Sequence, residues 1–387
     1  MKFIHTGDSH IGEVYKDKQR NEDIKDAFRQ VIDAAIDEKA DFIIHSGDLF
    51  DTGVPSFQDM LFVTDQLKRL KEKGIKMFIV PGSHDIGLGE ETSVIELFDR
   101  NDLLVNLNSS RYIKKEEDKV LLKGEVYKNA FIAGIRGKRS RVEDEIFKRL
   151  KVEMRDAWIK IFVFHHTISA LGEPFSDLDT DSLPKGFDYY AAGHWHGHRD
   201  NIPYGKGIIQ YPGSTEYCDE KEIVDYKNRG FYVIDYNEKG IGKISYSILK
   251  TREKEILHID ANGKTAQKVR EEIGQKISEN DGKILVIRID GKLNDKRSSL
   301  DIEGIKQDAK SLGYSYISVN ISRLSDKSEE EVKVSSDSIE QIEKEFLEKK
   351  GYSDKDIAVA KLLIDAAETG LSIDETRKKT EELYKDL

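Results

Sequence analysis

Cysteine is nearly absent: the 387-residue chain holds one, Cys218. That excludes a disulfide framework and points to a reducing compartment. No apolar run approaches the ~18 residues that a membrane span needs. The opening Met1-Lys2-Phe3-Ile4-His5-Thr6-Gly7-Asp8 turns polar too early for a signal peptide. Internal repeats and low-complexity tracts are missing too. These absences read as a soluble cytoplasmic protein with no membrane contact. Charge, by contrast, is plentiful. Charged residues make up 35% of the chain, 62 basic and 73 acidic, against a usual ~25%. With both signs present, this reads as a charged globular surface and not a disordered polyelectrolyte. At roughly 150 residues per domain, the length predicts two or three domains.

The net charge of −11 argues only superficially against a nucleic-acid partner. Residues 326–387 alone hold 18 acids and 11 bases, more than half of the excess. Phosphate binding answers to the local field of a groove, and bound divalent metals reverse that field's sign.

Short apolar runs alternate with helix-periodic stretches in the first half. Residues 2–6, 41–45, 75–80 and 159–164 read as strands. Between the first two, Ile24, Phe28, Val31, Ala35 and Ile36 recur at helical spacing, and residues 57–73 look similar. This alternation predicts βαβ units and a covered, largely parallel sheet. Residues 188–192, 207–211, 230–236 and 243–249 read as further strands, with spacings that suggest antiparallel additions. The expected architecture is an α/β two-sheet sandwich flanked by helices over residues 1–250. Residues 251–324 read as a small α+β unit, a capping domain. Residues 325–338, rich in Ser, Lys and Glu, read as a linker. Residues 339–387 read as short helices, two of them opened by Ser353-Asp354-Lys355-Asp356 and Ser372-Ile373-Asp374-Glu375. One of these carries Ile357, Ala360, Ile364 and Leu371 on a single face, too short to form a core of its own and in need of a partner surface.

Nine of the ten histidines occur by position 198, many directly after predicted strands and beside Asp and Gly. The clusters are Asp8-Ser9-His10, Gly47-Asp48-Leu49-Phe50-Asp51, Pro81-Gly82-Ser83-His84-Asp85, His165-His166 and Gly193-His194-Trp195-His196. Carboxyl ends of strands in an α/β sheet share one rim, where ligands bind. Asp and imidazole ligands from five rim segments suffice for two divalent ions, with a carboxylate such as Asp48 bridging them at a typical ~3.5–4 Å separation.

This pattern resembles the calcineurin-like metallophosphoesterase superfamily: D-x-H, G-D-x-x-D, G-N-H-D, a lone H, then G-H-x-H. Within it, Asp8-Ser9-His10-Ile11-Gly12, Gly47–Asp51 and Tyr211-Pro212-Gly213-Ser214-Thr215-Glu216 resemble the double-strand-break repair nuclease subunits of SbcD type. The resemblance covers nearly the whole chain. It implies that Asp8, His10, Asp48 and His196 hold a first metal, and Asp48, Ser83, His165 and His194 a second. It further implies two Mn²⁺ ions per subunit and His84 as general acid. The implied function is a DNA nuclease for double-strand break repair, with 3′→5′ exonuclease and single-strand endonuclease activities. The implied partners are DNA, a second copy of the chain, and the coiled-coil base of an SMC-like ABC ATPase gripped by the Ile357–Leu371 face. One departure matters: the family has Asn where this chain has Ser83, a shorter neutral donor that would leave the second metal weaker. Asp51 fits the SbcD-like form.

Lys16, Lys18 and Arg20, together with Arg136, Lys138, Arg139 and Arg141, are the expected phosphate-backbone contacts. Phe57, Met60, Leu61, Phe62, Leu97, Phe98, Leu103 and Leu104 divide between core and the dimer interface that the family resemblance implies. His5 and His45 read as hydrogen-bonded core residues. His166 reads as facing away from its neighbour His165, and Cys218 as inert. The competing functions are a phosphomonoesterase or cyclic-nucleotide phosphodiesterase on the same core, and a DNA-end tethering scaffold with a nuclease weakened at Ser83.

Overall fold

A computed structural model describes residues 1–12, 19–87, 93–116, 118–137, 143–172 and 176–326, and position 359. Two six-stranded sheets face each other. The first runs in the order Gly240–Ile248, Gly230–Asn237, Lys2–Thr6, Phe42–His45, Lys76–Ile79, Val105–Asn106. Its last four strands are parallel, and Gly230–Asn237 joins antiparallel to Lys2–Thr6. The second runs in the order Arg199–Tyr204, Gly207–Tyr211, Tyr189–Gly193, Ile159–His165, Ala130–Ile135, Glu125–Tyr127. Its four inner strands are parallel and its two edges antiparallel. The two-sheet α/β sandwich expected from the sequence is the architecture found.

Strand periodicity sorts the apolar side chains. Phe3, Phe42, Ile44 and Phe78 meet Ile132, Ile161, Val163 and Tyr189 in a core between the sheets. Ile4, Ile43, Met77 and Ile79 point the other way, onto helices Gln19–Asp37 and Phe57–Glu72. Strands buried on both faces read as unbroken apolar runs, which is why these were visible in the sequence. Ile24, Phe28, Val31 and Ala35 are fully buried, as their spacing predicts. Ser56 caps the second helix, its hydroxyl accepting from the Asp59 N–H at 3.2 Å.

Helices do not cover the outer face of the second sheet alone. A small sheet of Ile113–Lys115, Val120–Leu122 and Leu150–Val152 packs there through Val120, Leu122 and Leu150, beside Leu178, Leu183 and Phe187. These three-residue strands went unread in the sequence.

Residues 254–326 build a third core. Lys254–Asp260, Ile284–Leu293 and Tyr316–Asn320 are parallel, and Leu324–Asp326 pairs the far end of the central strand. Leu285, Ile287 and Ile289 face helices Ala266–Lys276 and Ile302–Ser311. Ile284 and Val286 alternate to the opposite face and pack with Tyr316 on Tyr217 and Ile223 of the preceding segment. The stretch read as a linker opens within a strand, since Ser325 and Asp326 belong to Leu324–Asp326. The helical segment that carries Ile357, Ala360, Ile364 and Leu371 lies outside the described residues.

Candidate metal centre

Parallel strands of both sheets end at one rim. Asp8 and His10 follow Lys2–Thr6, Asp48 follows Phe42–His45, and Ser83 and His84 follow Lys76–Ile79. From the second sheet, His165 ends Ile159–His165, and His194 and His196 follow Tyr189–Gly193. The backbone there is strained. Asp8, His10, Asp48 and His194 all adopt left-handed φ, between 46° and 79°. Non-glycine residues seldom do so, and such outliers cluster at functional sites. Two glycines permit the crowding. A Cβ on Gly82 would stand 2.1 Å from Asp48 Oδ1, and one on Gly47 2.3 Å from His165 Nδ1.

The ring nitrogens converge. His10 Nε2 and His196 Nε2 lie 3.0 Å apart, and His194 Nδ1 and His165 Nε2 3.2 Å apart. Asp48 stands between the two pairs, its Oδ2 3.0 Å from His165 Nε2 and 3.7 Å from His10 Nε2. Asp8 Oδ1 is 3.9 Å from His196 Nε2, and the Asp8 carboxylate accepts the His194 backbone N–H at 2.9 Å. Each ring's far nitrogen is held from behind. His165 Nδ1–H donates to the Ser46 carbonyl at 2.8 Å, which fixes its tautomer because a carbonyl only accepts. His10 Nδ1 meets Asp51 at 3.1 Å, His194 Nε2 meets Asp177 at 3.3 Å, and His196 Nδ1 meets Glu222 at 2.5 Å. Rings oriented by outer carboxylates, with free nitrogens facing inward, form the donor set that divalent ions take. Asp48, His165 and His194 form one such group and His10, Asp48 and His84 another, each with its donor atoms within 4.8 Å of one another.

Charge fits the same reading. Burial alone would push the Asp48 carboxyl up, but the facing rings of His165 and His10 outweigh it and hold it well below the usual range. Burial would likewise lower His165, yet the Asp48 carboxylate lifts it to about 9. Burial pushes His194 down to about 3, helped by the neighbouring His165. A divalent cation held between these groups would take the place of protons in balancing the carboxylates. His84 Nδ1–H donates to the Asp51 carbonyl at 2.8 Å, and the Asp51 side chain and Asp48 raise the ring to about 9, so it carries a proton at neutral pH. Ser83 is buried, its hydroxyl 3.4 Å from Asp48 Oδ2.

Comparison with known proteins decides the family. Residues 1–198 match the calcineurin-like phosphoesterase family, half of the chain. The chain belongs to that family. It is a metal-dependent phosphoesterase, and members of the family use a dinuclear metal site. The chain is also similar to several curated DNA double-strand break repair proteins. The DNA double-strand break repair protein Mre11 of Sulfolobus acidocaldarius is 29% identical over 401 aligned residues, 100% of this chain and 98% of its own. Mre11 of Methanocaldococcus jannaschii is 32% identical over 65% of this chain and 68% of its own. Mre11 of Saccharolobus solfataricus is 28% identical over 75% of each.

The structure corrects several expectations for this phosphoesterase. Arg20, expected at the nucleic acid, is buried, with its guanidinium committed to Asp23 at 2.5 Å and Glu216 at 3.0 Å. Lys16, Lys18, Lys138, Arg139 and Arg141 lie outside the described residues. Arg136 is described: with Phe147 and His166 it lines a cavity of about 710 Å³. Gly137 donates to the Pro81 carbonyl at 3.0 Å, so the end of the strand Ala130–Ile135 stands beside the His84 turn. Cys218, read as inert, lies beside the centre. Its sulfur groups with His10 and His196, all donor atoms within 4.8 Å, while burial and nearby Glu222 push the thiol up to about 11.

His5, His45 and His166 behave as read. His5 meets the Tyr189 hydroxyl at 2.9 Å, His45 meets Ser9 at 2.9 Å, and His166 packs edge-on against Phe147. Sequence reasoning missed Asp177 and Glu222, whose only signal is an acid in a loop or short helix. Asp85 was also missed: its carboxylate accepts the N–H groups of Phe50 and Gly82, both at 2.9 Å, and so pins two ligand loops together.

Proposed function

We propose that the chain is a Mn²⁺-dependent DNA nuclease of double-strand break repair, with 3′→5′ exonuclease and single-strand endonuclease activities. It acts as a homodimer on the coiled-coil base of an SMC-like ABC ATPase. One observation carries the reading: two clusters of imidazoles share Asp48, from strands of two different sheets. Asp8, His10, Asp48 and His196 would hold one ion. Asp48, Ser83, His165 and His194 would hold the other. Bound divalent ions supply Lewis-acid polarisation of a phosphodiester and a lowered pKa for water. His84, 4.8 Å from the His10 ring and held by Asp51, delivers a proton to the departing alkoxide. Residues 1–250 form the nuclease domain, 251–324 cap it, and 339–387 dock the ATPase. The relatives named Mre11 support the substrate class. Purified protein with Mn²⁺ on end-labelled duplex DNA, alone and with the ATPase, tests this. Shortening from 3′ ends that stops with chelator is the expected result. A protein that binds DNA ends and both ions without cleaving would overturn the nuclease reading in favour of a tethering scaffold.

A further inference from the structure

The short helix Glu220–Asp225 faces two ways. Inward, Glu222 holds His196: its Oε1 lies 2.5 Å from Nδ1. Its other oxygen accepts from the Cys218 N–H at 3.0 Å, from the Ser214 hydroxyl at 3.2 Å and from Arg229. Arg229 in turn donates to the His196 carbonyl at 2.6 Å, so ring and backbone of one residue hang on the same buried ion pair.

Outward, the neighbouring residues hold the small C-terminal unit. Glu220 accepts from Ser318 at 2.5 Å and Asn320 at 2.8 Å. Ile223 packs with Ile284, Val286 and Tyr316, and Lys254 donates to the Ile223 carbonyl at 2.6 Å. One turn of helix therefore carries contacts to both sides, Glu222 inward and Glu220 and Ile223 outward.

We propose that Glu222 is a positioning residue for His196, and that the helix Glu220–Asp225 makes the seating of the small unit a determinant of how tightly the ion at His196 is held. The inference rests on the reading of His196 as a metal ligand. A ring whose far nitrogen is anchored to a carboxylate presents its near nitrogen at one angle, and loss of such an anchor typically costs about 10–100-fold in metal affinity. If the small unit shifts, the helix shifts with it, and His196 loses its aim.

Calorimetric titration of Mn²⁺ and proton–nitrogen spectra of the ¹⁵N-histidine-labelled full chain test this together. Glu222→Ala should weaken one ion by about 10–100-fold and leave the other. Glu222→Gln, which keeps an oxygen for Nδ1–H, should recover most of that loss. The double change Ser318→Ala with Asn320→Ala, remote from the centre, should weaken the same ion several-fold and shift the protected Nδ1–H signal of His196 even without metal. Native affinity for both ions in Glu222→Ala overturns the positioning role. An unmoved His196 signal in the Ser318/Asn320 variant overturns the link to the small unit, and remains decisive should Glu222→Ala not fold. Absence of Mn²⁺ binding by the native chain would sink the metal reading separately, leaving the spectra to judge the mechanical link.

Discussion

A serine hydroxyl reaches less far than an asparagine carboxamide, and at position 83 that difference falls beside the shared Asp48. Ser83→Asn should tighten one Mn²⁺ ion by about tenfold, the scale on which single supporting groups act. Two equally tight ions in both proteins, measured by calorimetry, would refute this. Next to it, His84→Gln should depress turnover by roughly 10²–10⁴-fold with both ions retained, as expected for a lost proton donor. Metal analysis alongside kinetics separates that loss from a lost ligand. Deeper in the core, burial holds His5 and His45 neutral, each pushed from 6.5 down to about 3. The unfolded chain protonates these rings below pH 6.5 while the folded chain resists. Their contribution to stability is therefore full above pH 6.5 and is lost as pH falls towards 3. Urea midpoints should decline across that window, and His5→Asn with His45→Asn should flatten the decline.

The helix Phe57–Glu72 presents opposite faces to opposite fates. Val63, Leu67 and Leu70 are buried, whereas Phe57 is 83% and Leu61 63% exposed, with Leu97 close behind at 54%. Phe98 and Leu104 sit in the core and cannot serve an interface. If the exposed residues mediate the proposed dimer, Phe57→Glu with Leu61→Glu should yield a monomer in sedimentation with an unchanged melting temperature. This helix also shows what a sequence can disclose. Its buried stripe was legible, and so were the doubly buried strands, because apolar period follows from geometry. The ligand motifs were legible because Asp, Gly and His fall together at strand ends. Asp177 and Glu222 were not, since each is one acid among 73 and meets its histidine only through the fold. Nor were the left-handed turns at Asp8, His10, Asp48 and His194, because their φ values are imposed by the crossing loops and not by residue type.

At the scale of the molecule, the segment 339–387 is proposed to dock the ATPase. Deleting residues 336–387 should abolish co-purification with it while leaving metal-dependent cleavage by the free subunit, and stoichiometric capture by the truncated chain would disprove the assignment. Among the described residues no helix is long and apolar enough to cross a membrane. Both sheets must be in place before the rim exists: Lys2–Thr6 lies between Phe42–His45 and Gly230–Asn237, and His196 takes its anchor from Glu222. At roughly 5–20 residues per second of synthesis, Asp8 and Glu222 leave the ribosome on the order of ten seconds or more apart. A growing polypeptide therefore carries half a centre for most of that interval. The first sheet is finished later still, when Gly230–Asn237 and then its edge strand Gly240–Ile248 have emerged.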